Sequence, residues 1–374
     1  MKILLTGGAT GGHFYPLIAV AEEIHAIVKE DRLLPPELYY LAPTPYNERA
    51  LFEQGIVYKS VSAGKVRRYF SPLNIIDAFK TAWGIVKAVI EVFKIYPDVI
   101  FSKGGYASFP SVLAGRLFRI PIIIHESDSA PGRVNKWAGK FAVRIAVSYE
   151  EAGTFFPSEK VAYTGNPIRK EIAMPLKKGA HEFLGLDPAI PTVVVLGGSQ
   201  GSQKINDTVI DALPQLVSVC QIIHQTGKAN LTETKNTAEV ILTNNPLKDR
   251  YHPFDYLNDL AMRMAAGAAD LVVSRAGSTI FEIAAWGVPS IIIPIPERIS
   301  HDQVKNAFNY ARSGSCIVME EANLSSHIFA SEVKRLLDSE KERAAMTLNT
   351  KKVAKLDAAH KIARQIIDIA LKHE

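Results

Sequence analysis

Cysteine is scarce in this chain. The two cysteines, Cys220 and Cys316, lie in separate apolar stretches, and their spacing is not that of metal ligands. A disulfide framework and a zinc site are therefore disfavoured. A reducing cytoplasm is the simplest setting for such a sequence.

Long apolar runs are also lacking. No apolar stretch reaches the roughly 20 residues that a membrane-spanning helix needs, and the run after Lys2 stops at glycines, too early for a signal peptide. The net charge of +5 is mild. It permits contact with an anionic surface or substrate, but it does not by itself indicate nucleic acid.

The remaining composition is that of an ordinary globular enzyme. A length of 374 residues allows two domains with separate cores, and 47% hydrophobic and 22% charged residues are usual values. Neither a short repeat nor a low-complexity segment is present. Turn residues at Tyr163–Pro167 mark the best candidate hinge.

Short β-branched runs alternate with longer helical stretches, which predicts parallel sheets built from βαβ units. We expect α/β architecture, with domains at 1–165 and 166–350 facing a cleft and a C-terminal helix at 351–374 that could pack back on the first domain. The predicted strands lie near Ile3–Leu5, Leu38–Leu41, Val99–Phe101, Ile122–His125, Ile145–Val147, Val193–Leu196, Gln221–His224, Leu271–Ser274, Ile291–Pro294 and Ile317–Met319.

Two glycine-rich turns follow the first predicted strand of each half, at Gly7–His13 and Gly197–Gly201. A strand that ends in glycines and leads into a helix presents backbone N–H groups at a positive helix end, which suits a phosphate or diphosphate. The alternative is that these glycines only permit tight packing between strand and helix.

The first turn does not match the dinucleotide fingerprint. That pattern needs glycine at its third place, where this chain has Ala9, and an acidic residue after the second strand, where it has Ala42-Pro43. Nicotinamide and flavin cofactors are therefore disfavoured, and we predict no cofactor. His13 follows the turn, where a positive helix end keeps an imidazole neutral, as a general base must be. A capping or surface role for His13 is the alternative.

A second phosphate candidate is the segment Ser274–Glu282, which opens a helix predicted at Ile280–Trp286. Thr279 and Glu282 have the spacing of a capping box. The segment therefore caps the helix, or holds a diphosphate at Thr279 with Glu282 on ribose hydroxyls, or does both.

Further candidates stand at strand ends, where open α/β sheets bind ligands. They are Ser102–Tyr106, His125–Asp128 and His301–Gln303. His125 and Glu126 could form an acid/base pair only if the strand has ended before them, because neighbouring strand residues point to opposite faces.

The stretch Pro72–Tyr96 predicts a helix that is apolar almost all round. Its C-terminal half is interpreted as a core helix. Its N-terminal half combines apolar and aromatic residues with an adjacent basic cluster, a composition typical of membrane-surface contact. The residues predicted for that contact are Lys65, Arg67, Arg68, Ile75, Ile76 and Phe79.

Several separated motifs together resemble the MurG family of bacterial peptidoglycan glycosyltransferases over nearly the whole chain. The motifs are the Gly7–His13 turn followed by Pro16, Gly104-Gly105-Tyr106, His125-Glu126, Gly165–Arg169, Gly197–Gly201, Arg275–Glu282, and Asp302-Gln303 with Asn306. The resemblance implies a GT-B fold of two Rossmann-like domains. It also implies inverting transfer of N-acetylglucosamine (GlcNAc) from UDP-GlcNAc to the 4-hydroxyl of the muramoyl sugar of lipid I, giving lipid II.

The resemblance also implies roles for individual residues. His13 is the favoured base, with Glu126 as the alternative. The donor UDP-GlcNAc would meet Thr10, Gly11, Gly12, Arg169, Ser199, Gln200, Phe254, Asp255, Gly277, Ser278, Thr279, Glu282 and Gln303, of which the first three could instead hold the diphosphate of lipid I. The acceptor lipid I would meet Gly104, Gly105, Tyr106, His125 and Asp128, although some members carry a neutral amide where Asp128 stands.

The implied setting is the cytoplasmic face of an anionic membrane, with other cell-wall synthesis and division proteins as further possible partners. No Asp-x-Asp element is present, so helix ends could replace a metal at the diphosphate. Two rival functions remain: a GT-B enzyme on another acceptor or a UDP-GlcNAc 2-epimerase, and a non-catalytic scaffold for cell-wall assembly. The apolar helix with its basic flank argues against the epimerase. Four intact residues argue against the scaffold: His13, Glu126, Arg169 and Glu282.

Overall fold

The structure is a computed structural model that describes residues 1–8, 10–64, 73–198, 200–300 and 302–373. It consists of two compact units. The first unit comprises Met1–Arg169 and Lys355–Glu374, and the second comprises Lys170–Ala354. The limits fall a few residues beyond those expected from the sequence.

Each unit contains one parallel sheet. The described strands of the first unit are β1 (Lys2–Thr6), β2 (Glu37–Ala42), β3 (Ile56–Ser60), β4 (Val99–Ser102), β5 (Ile122–Glu126), β6 (Arg144–Val147) and β7 (Val161–Tyr163), in the order β3-β2-β1-β4-β5-β6-β7. Those of the second unit are β8 (Thr192–Leu196), β9 (Gln221–Gln225), β10 (Tyr251–Phe254), β11 (Leu271–Ser274), β12 (Ser290–Ile292) and β13 (Cys316–Val318), in the order β10-β9-β8-β11-β12-β13.

Helices connect the strands as the βαβ pattern predicts. The first unit has α1 (Gly11–Glu30), α2 (Glu48–Glu53), α3 (Leu73–Ile95), α4 (Phe109–Leu117), α5 (Arg133–Ala138) and α6 (Glu150–Gly153). The second has α7 (Lys170–Ala173), α8 (Ala180–Leu184), α9 (Gln203–Leu216), α10 (Leu231–Ile241), α11 (Asp259–Ala268), α12 (Thr279–Trp286), α13 (Gln303–Arg312), α14 (Ser326–Asp338) and α15 (Glu340–Val353). The last helix, α16 (Ala358–His373), returns to the first unit.

The first sheet is covered on both faces. Successive side chains of β1 alternate between two clusters, since Ile3 and Leu5 pack with α1 and α16 while Leu4 packs on the opposite face. Ile362 and Ile366 of α16 are fully buried in the first cluster. This explains why strands such as Ile122–Ile124 are continuous apolar runs rather than alternating ones.

All ten strands predicted from the sequence are present. Three more, β3, β7 and β10, were not predicted, and each lies at an edge of its sheet. Edge strands are partly exposed, so they lack the continuous apolar run of a central parallel strand. In β3, for example, only Ile56 is buried.

Helix α3 differs from its sequence-based interpretation. An exposed apolar stripe runs at helical spacing from Phe79 to Phe93, and we call it the α3 stripe. Its members are Phe79, Trp83, Val86, Ile90 and Phe93, which are 73, 66, 50, 47 and 65% exposed. The prediction that the C-terminal half is a buried core helix is therefore wrong for this face. The buried face of α3 is supplied by Ala88, Val92 and Ile95.

The other predicted membrane contacts are not described. Lys65, Arg67 and Arg68 lie outside the described residues, as do the side chains of Ile75 and Ile76. Within the described part of the chain, no helix is both long and apolar enough to cross a bilayer.

Candidate active site

Both glycine turns lie where the strand order of their sheet reverses. In the first unit β1 is flanked by β2 and β4, and in the second β8 is flanked by β9 and β11. The carboxyl ends of the central strands at such switch points are the usual ligand sites of open α/β sheets. The topology therefore brings Gly7–His13 beside Ser102–Tyr106, and Gly197–Gly201 beside the segment after Ser274.

His13 lies in the first turn of α1. The backbone N–H groups of His13 and Phe14 both donate to the Thr10 carbonyl at 3.0 Å, and the Thr10 hydroxyl lies 2.8 Å from Nδ1 of His13. This contact fixes the orientation of the ring and places Nδ1, rather than Nε2, against Thr10.

Two glycines allow the His13 ring to take this position. A Cβ on Gly8 would lie 2.9 Å from Cγ and Nδ1 of the ring, and one on Gly105 would lie 3.3 Å from Nε2. Gly105 also has φ of +78°, a conformation that other residues rarely adopt. The sequence-predicted residues His13, Gly8 and Gly105 are therefore brought together from two separate turns.

The environment keeps His13 neutral. Burial, and then the charge of Lys103, lower the pKa of His13 to about 4. The imidazole therefore carries no proton charge at pH 7, which is the form that a general base needs. An anionic substrate bound nearby would raise this pKa and strengthen the base.

Lys103 is fully buried beneath this turn, at 1% exposure. Its ammonium lies 2.6 Å from Nδ1 of His125 and donates to Oδ1 of Asn166 at 3.0 Å. Nε2 of His125 lies 3.0 Å from the Gly165 carbonyl, so His125 is held as the neutral Nε2–H form that accepts from Lys103. Burial and then Lys103 hold the pKa of His125 well below its usual value.

Glu126 ends β5 and is 4% exposed. Oε1 accepts from the Asp128 N–H at 3.0 Å, and Oε2 accepts from the Gly132 N–H and from Asn135 Nδ2, each at 3.0 Å. Burial, and then the nearby Asp128 charge, raise the pKa of Glu126 to about 7. Both carboxylate oxygens are thus engaged in holding the loop from 127 to 132.

The other predicted acceptor residues surround this cluster. A Cβ on Gly104 would lie 2.6 Å from Asn135 Nδ2, so Gly104 packs on the side chain that binds Glu126. Tyr106 opens a short 3₁₀ turn and is only partly buried. Burial lowers the pKa of Lys103 to about 7, and the charges of Glu126 and then Asp128 oppose that effect. This gives Asp128 a place in the charge balance of the cluster.

Gly197–Gly201 is the corresponding turn of the second unit, and Ser199 within it lies outside the described residues. A Cβ on Gly201, at φ +77°, would lie 1.9 Å from the Thr226 carbonyl. Gln225 donates to the Gly198 carbonyl at 3.0 Å and accepts from the Leu257 N–H at 3.0 Å. Gln225 therefore joins the glycine turn to the loop that follows Phe254.

Alanine substitutions at the two positive-φ glycines of this turn are expected to lower stability by different amounts. Gly201→Ala is expected to destabilise the second unit by several kcal/mol, because the methyl group meets backbone. Gly198→Ala, at φ +86° with no atom within 4 Å of its Cβ, is expected to cost only about 1 kcal/mol of backbone strain. Thermal unfolding of the two variants measures the difference. Equal losses would contradict this account of the turn.

The segment after Ser274 opens α12, with a correction to its predicted cap. The helix starts at Thr279, its N-cap is Ser278, and no side-chain cap hydrogen bond forms. The predicted capping box is therefore wrong, because Thr279 is already helical. Glu282 lies in the first turn, and a Cβ on Gly277 would meet nothing within 4 Å, which leaves space in front of the helix.

The remaining predicted donor residues are on neighbouring loops. Phe254 ends β10, and its carbonyl accepts from the backbone N–H and hydroxyl of Thr226. Asp255 is exposed and accepts from the Tyr256 N–H at 2.6 Å. Gln303 starts α13 and accepts from the Ile295 N–H at 3.1 Å, which ties it to the loop after β12.

Asn135 and Gln225 help to organise the site and were not singled out from the sequence, whereas Lys103 and Arg275 lie within segments that were. Asn135 Nδ2 donates to the His125 carbonyl and to Glu126 Oε2, and Gln225 joins two loops. Arg275 is paired with Glu321 at 2.5 Å while donating to Ser202 Oγ at 2.6 Å. For Gln225 the available signal was a polar residue at the end of an apolar strand, and Asn135, in α5, had no such signal. Among the described residues, no group of three or more His, Cys, Asp or Glu side chains has the arrangement of a metal site.

Family models match both units. The N-terminal domain of glycosyltransferase family 28 matches residues 3–147, and the C-terminal domain of the same family matches residues 192–362. The chain therefore contains both domains of a glycosyltransferase, and the predicted enzyme class is confirmed.

Relatives refine this class. A Bacillus cereus protein named UDP-N-acetylglucosamine–N-acetylmuramyl-(pentapeptide) pyrophosphoryl-undecaprenol N-acetylglucosamine transferase 2 is 38% identical over 92% of this chain and 94% of its own length. The chain belongs to this family of N-acetylglucosamine transferases, the MurG family, as its motifs predicted.

Solved structures agree on the fold. The crystal structure of Acinetobacter baumannii MurG is 22% identical, covers 98% of this chain and 99% of its own, and superposes with a TM-score of 0.72. A Neisseria meningitidis UDP-GlcNAc 2-epimerase bound to UDP-GlcNAc, 13% identical over 98% of this chain and 100% of its own, gives 0.69. The predicted GT-B fold of two Rossmann-like domains is confirmed, but the fold alone does not separate the transferase from the epimerase.

Proposed function

We propose that this protein transfers GlcNAc from UDP-GlcNAc to the 4-hydroxyl of the MurNAc of undecaprenyl-diphospho-MurNAc-pentapeptide (lipid I), with inversion, to form lipid II. The observation that carries this proposal is the 38% identity to the named transferase over 92% of the chain. The epimerase alternative rests on fold likenesses at 12–15% identity, which show the fold alone.

The proposed base is His13. Its neutral imidazole would take the proton of the acceptor hydroxyl as that oxygen attacks the anomeric carbon, and UDP would leave with the bond electrons. The N–H groups at the start of α12, near Ser278 and Thr279, would stabilise the departing diphosphate, together with the Arg169 guanidinium. Glu282 would meet the ribose and Gln303 the GlcNAc hydroxyls.

Glu126 and His125 would organise the acceptor side rather than take the proton. Glu126 accepts three hydrogen bonds, and His125 is held between Lys103 and Gly165. Gly104, Gly105 and Tyr106 would form the surface on which the muramoyl sugar lies. Thr10, Gly11 and Gly12 at the start of α1 would face a substrate diphosphate.

The reaction is tested by incubating the protein with radiolabelled UDP-GlcNAc and a lipid I analogue, with and without EDTA. We expect labelled GlcNAc on the lipid, and equal transfer in EDTA because helix ends replace a bridging cation. Epimerisation or hydrolysis of the donor without transfer would refute the proposal. Loss of transfer in EDTA that magnesium restores would refute only its metal-independent form.

A membrane contact through the α3 stripe is the second part of the proposal. The stripe exposes five large apolar side chains on one helix face, and Lys65, Arg67 and Arg68 precede the helix in the sequence. Apolar residues beside basic ones favour an anionic lipid surface. This contact would bring the enzyme to its lipid-linked acceptor on the cytoplasmic face of the cell membrane.

The stripe predicts vesicle binding that depends on its aromatic side chains. Replacing Phe79 and Trp83 together by serine is expected to weaken binding to phosphatidylglycerol vesicles about tenfold or more, because each exposed aromatic adds on the order of 1–2 kcal/mol when buried. Leu348→Ser, at a 61% exposed position on α15, is the matched control. Co-sedimentation measures binding, and an equal loss in the control would contradict this assignment.

A further inference from the structure

Arg169 lies over the aromatic ring of Tyr15. The guanidinium carbon is 4.2 Å from the ring centroid, a distance at which a planar cation stacks on the negative face of the ring. Tyr15 belongs to the first turns of α1, whereas Arg169 is the last residue of the N-terminal segment of the first unit. The contact therefore joins positions that are distant in sequence.

The Tyr15 ring is itself held in place by two other rings. Phe14, fully buried, packs at 5.5 Å and 72°, and Tyr46 packs at 5.8 Å and 88°. Tyr46 and Phe14 are also in contact, at 5.1 Å between ring centroids. We call this group of three rings the aromatic shelf.

Tyr46 has φ of +57°. A bulky residue in the left-handed region is strained by roughly 1–3 kcal/mol and persists only where its surroundings enforce it. Here the strained backbone places the Tyr46 ring against both Phe14 and Tyr15. The strained backbone conformation of Tyr46 therefore keeps its ring in the aromatic shelf.

The shelf borders the start of α1. A Cβ on Gly11 would lie 2.7 Å from the Tyr46 hydroxyl and 3.5 Å from Cδ2 of Tyr15. Gly11 is the first residue of the helix, where the backbone dipole favours negative charge. The Arg169 guanidinium thus lies over a ring, Tyr15, that borders Gly11 at the positive end of α1.

We propose that Tyr15 is a positioning residue for substrate diphosphate binding: its ring holds the Arg169 guanidinium beside the first turn of α1, so that side-chain cation and helix end act on one diphosphate. This rests on the proposed function for the identity of the substrates. A ring face beneath the guanidinium restricts the directions its N–H groups can take, and direction decides whether they meet phosphate oxygens in pairs. Tyr15 itself needs no contact with the substrate.

The test compares Tyr15→Leu, Tyr15→Phe and the wild type. UDP affinity is measured by calorimetry, and KM is measured separately for UDP-GlcNAc and for a lipid I analogue. Tyr15→Leu is expected to weaken diphosphate binding about 2- to 30-fold, the range of a cation–π contact. Tyr15→Phe keeps the ring face and is expected to restore most of that loss. Phe52→Leu, at an 85% exposed position of the same unit, controls for the change of residue type.

Each arm of the test has a defined meaning. A loss of UDP affinity assigns the donor diphosphate to this site, and a rise confined to the acceptor KM assigns the lipid-linked diphosphate. Unchanged constants in Tyr15→Leu, or an equal loss in Tyr15→Phe, would overturn the inference. UDP binding without transfer by the wild type would refute the proposed function and leave this comparison readable.

A double-mutant cycle with Arg169 excludes a merely structural role. If Tyr15 acts through Arg169, Tyr15→Leu adds almost nothing to the loss caused by Arg169→Ala. Additive losses would overturn the inference. Thermal unfolding of all variants shows whether the shelf still folds, and Tyr15→Phe keeps the test usable if Tyr15→Leu does not.

Discussion

Replacing His13 by alanine is expected to lower the turnover number by roughly 10²–10⁴-fold, the contribution of a positioned general base. The KM for UDP-GlcNAc is expected to change little, because the ring is proposed to act on the acceptor proton. Steady-state transfer to a lipid I analogue measures both constants. Thr10→Val, which removes the hydroxyl facing Nδ1 but keeps the ring, is expected to give a smaller loss.

The protonation state of His13 provides an independent check. An NMR titration of its ring is expected to show a pKa near 4, because burial and then Lys103 oppose the charged form. Lys103→Met removes that cation, so the His13 pKa is expected to rise towards its usual value. Lys29→Met, at the exposed far end of α1, should leave the His13 pKa unchanged.

If His13→Ala has only a small effect on turnover, the role of general base would pass to Glu126.

Replacing Glu126 by alanine is expected to destabilise the first unit by about 2–4 kcal/mol. Three donors lose their acceptor together, and each buried donor without a partner costs on the order of 1–3 kcal/mol, reduced where water reaches the loop. Thermal unfolding measures this loss. Activity should fall as well, since Asn135 connects Glu126 to Gly104.

Glu126→Gln separates the positioning role from base catalysis. The amide keeps one acceptor oxygen, so we expect a smaller loss of stability and a turnover within about tenfold of the wild type. A fall of 10²–10⁴-fold, with the unfolding temperature unchanged, would instead identify Glu126 as the base.

The central strands and both glycine turns could be predicted from the sequence, because each central parallel strand is an apolar run followed by turn residues. Of the edge strands, β13 was predicted but β3, β7 and β10 were not, because these three are short or carry polar residues and so lack the continuous apolar run of a central strand. Likewise, the exposed face of α3 could not be told from its buried face: aromatic and aliphatic residues occur on both, and only the packing partners distinguish them.

In the candidate site, too, some residues could be predicted from the sequence and some contacts could not. His13, Glu126 and Gly105 were found because short motifs carry them. The Lys103–His125–Asn166 contacts join residues from three separated segments, and no local pattern predicts such a meeting. The stacking of Arg169 on Tyr15 has the same origin.

The return of α16 to the first unit has a consequence for how the chain matures. The core around Ile3 and Leu5 needs Ile362 and Ile366, so the first unit stays incomplete during synthesis until this helix has emerged. The second unit is continuous in sequence and can fold earlier. The unit that is made first is therefore finished last, and a chain truncated before 358 would carry the proposed base on an unfinished core.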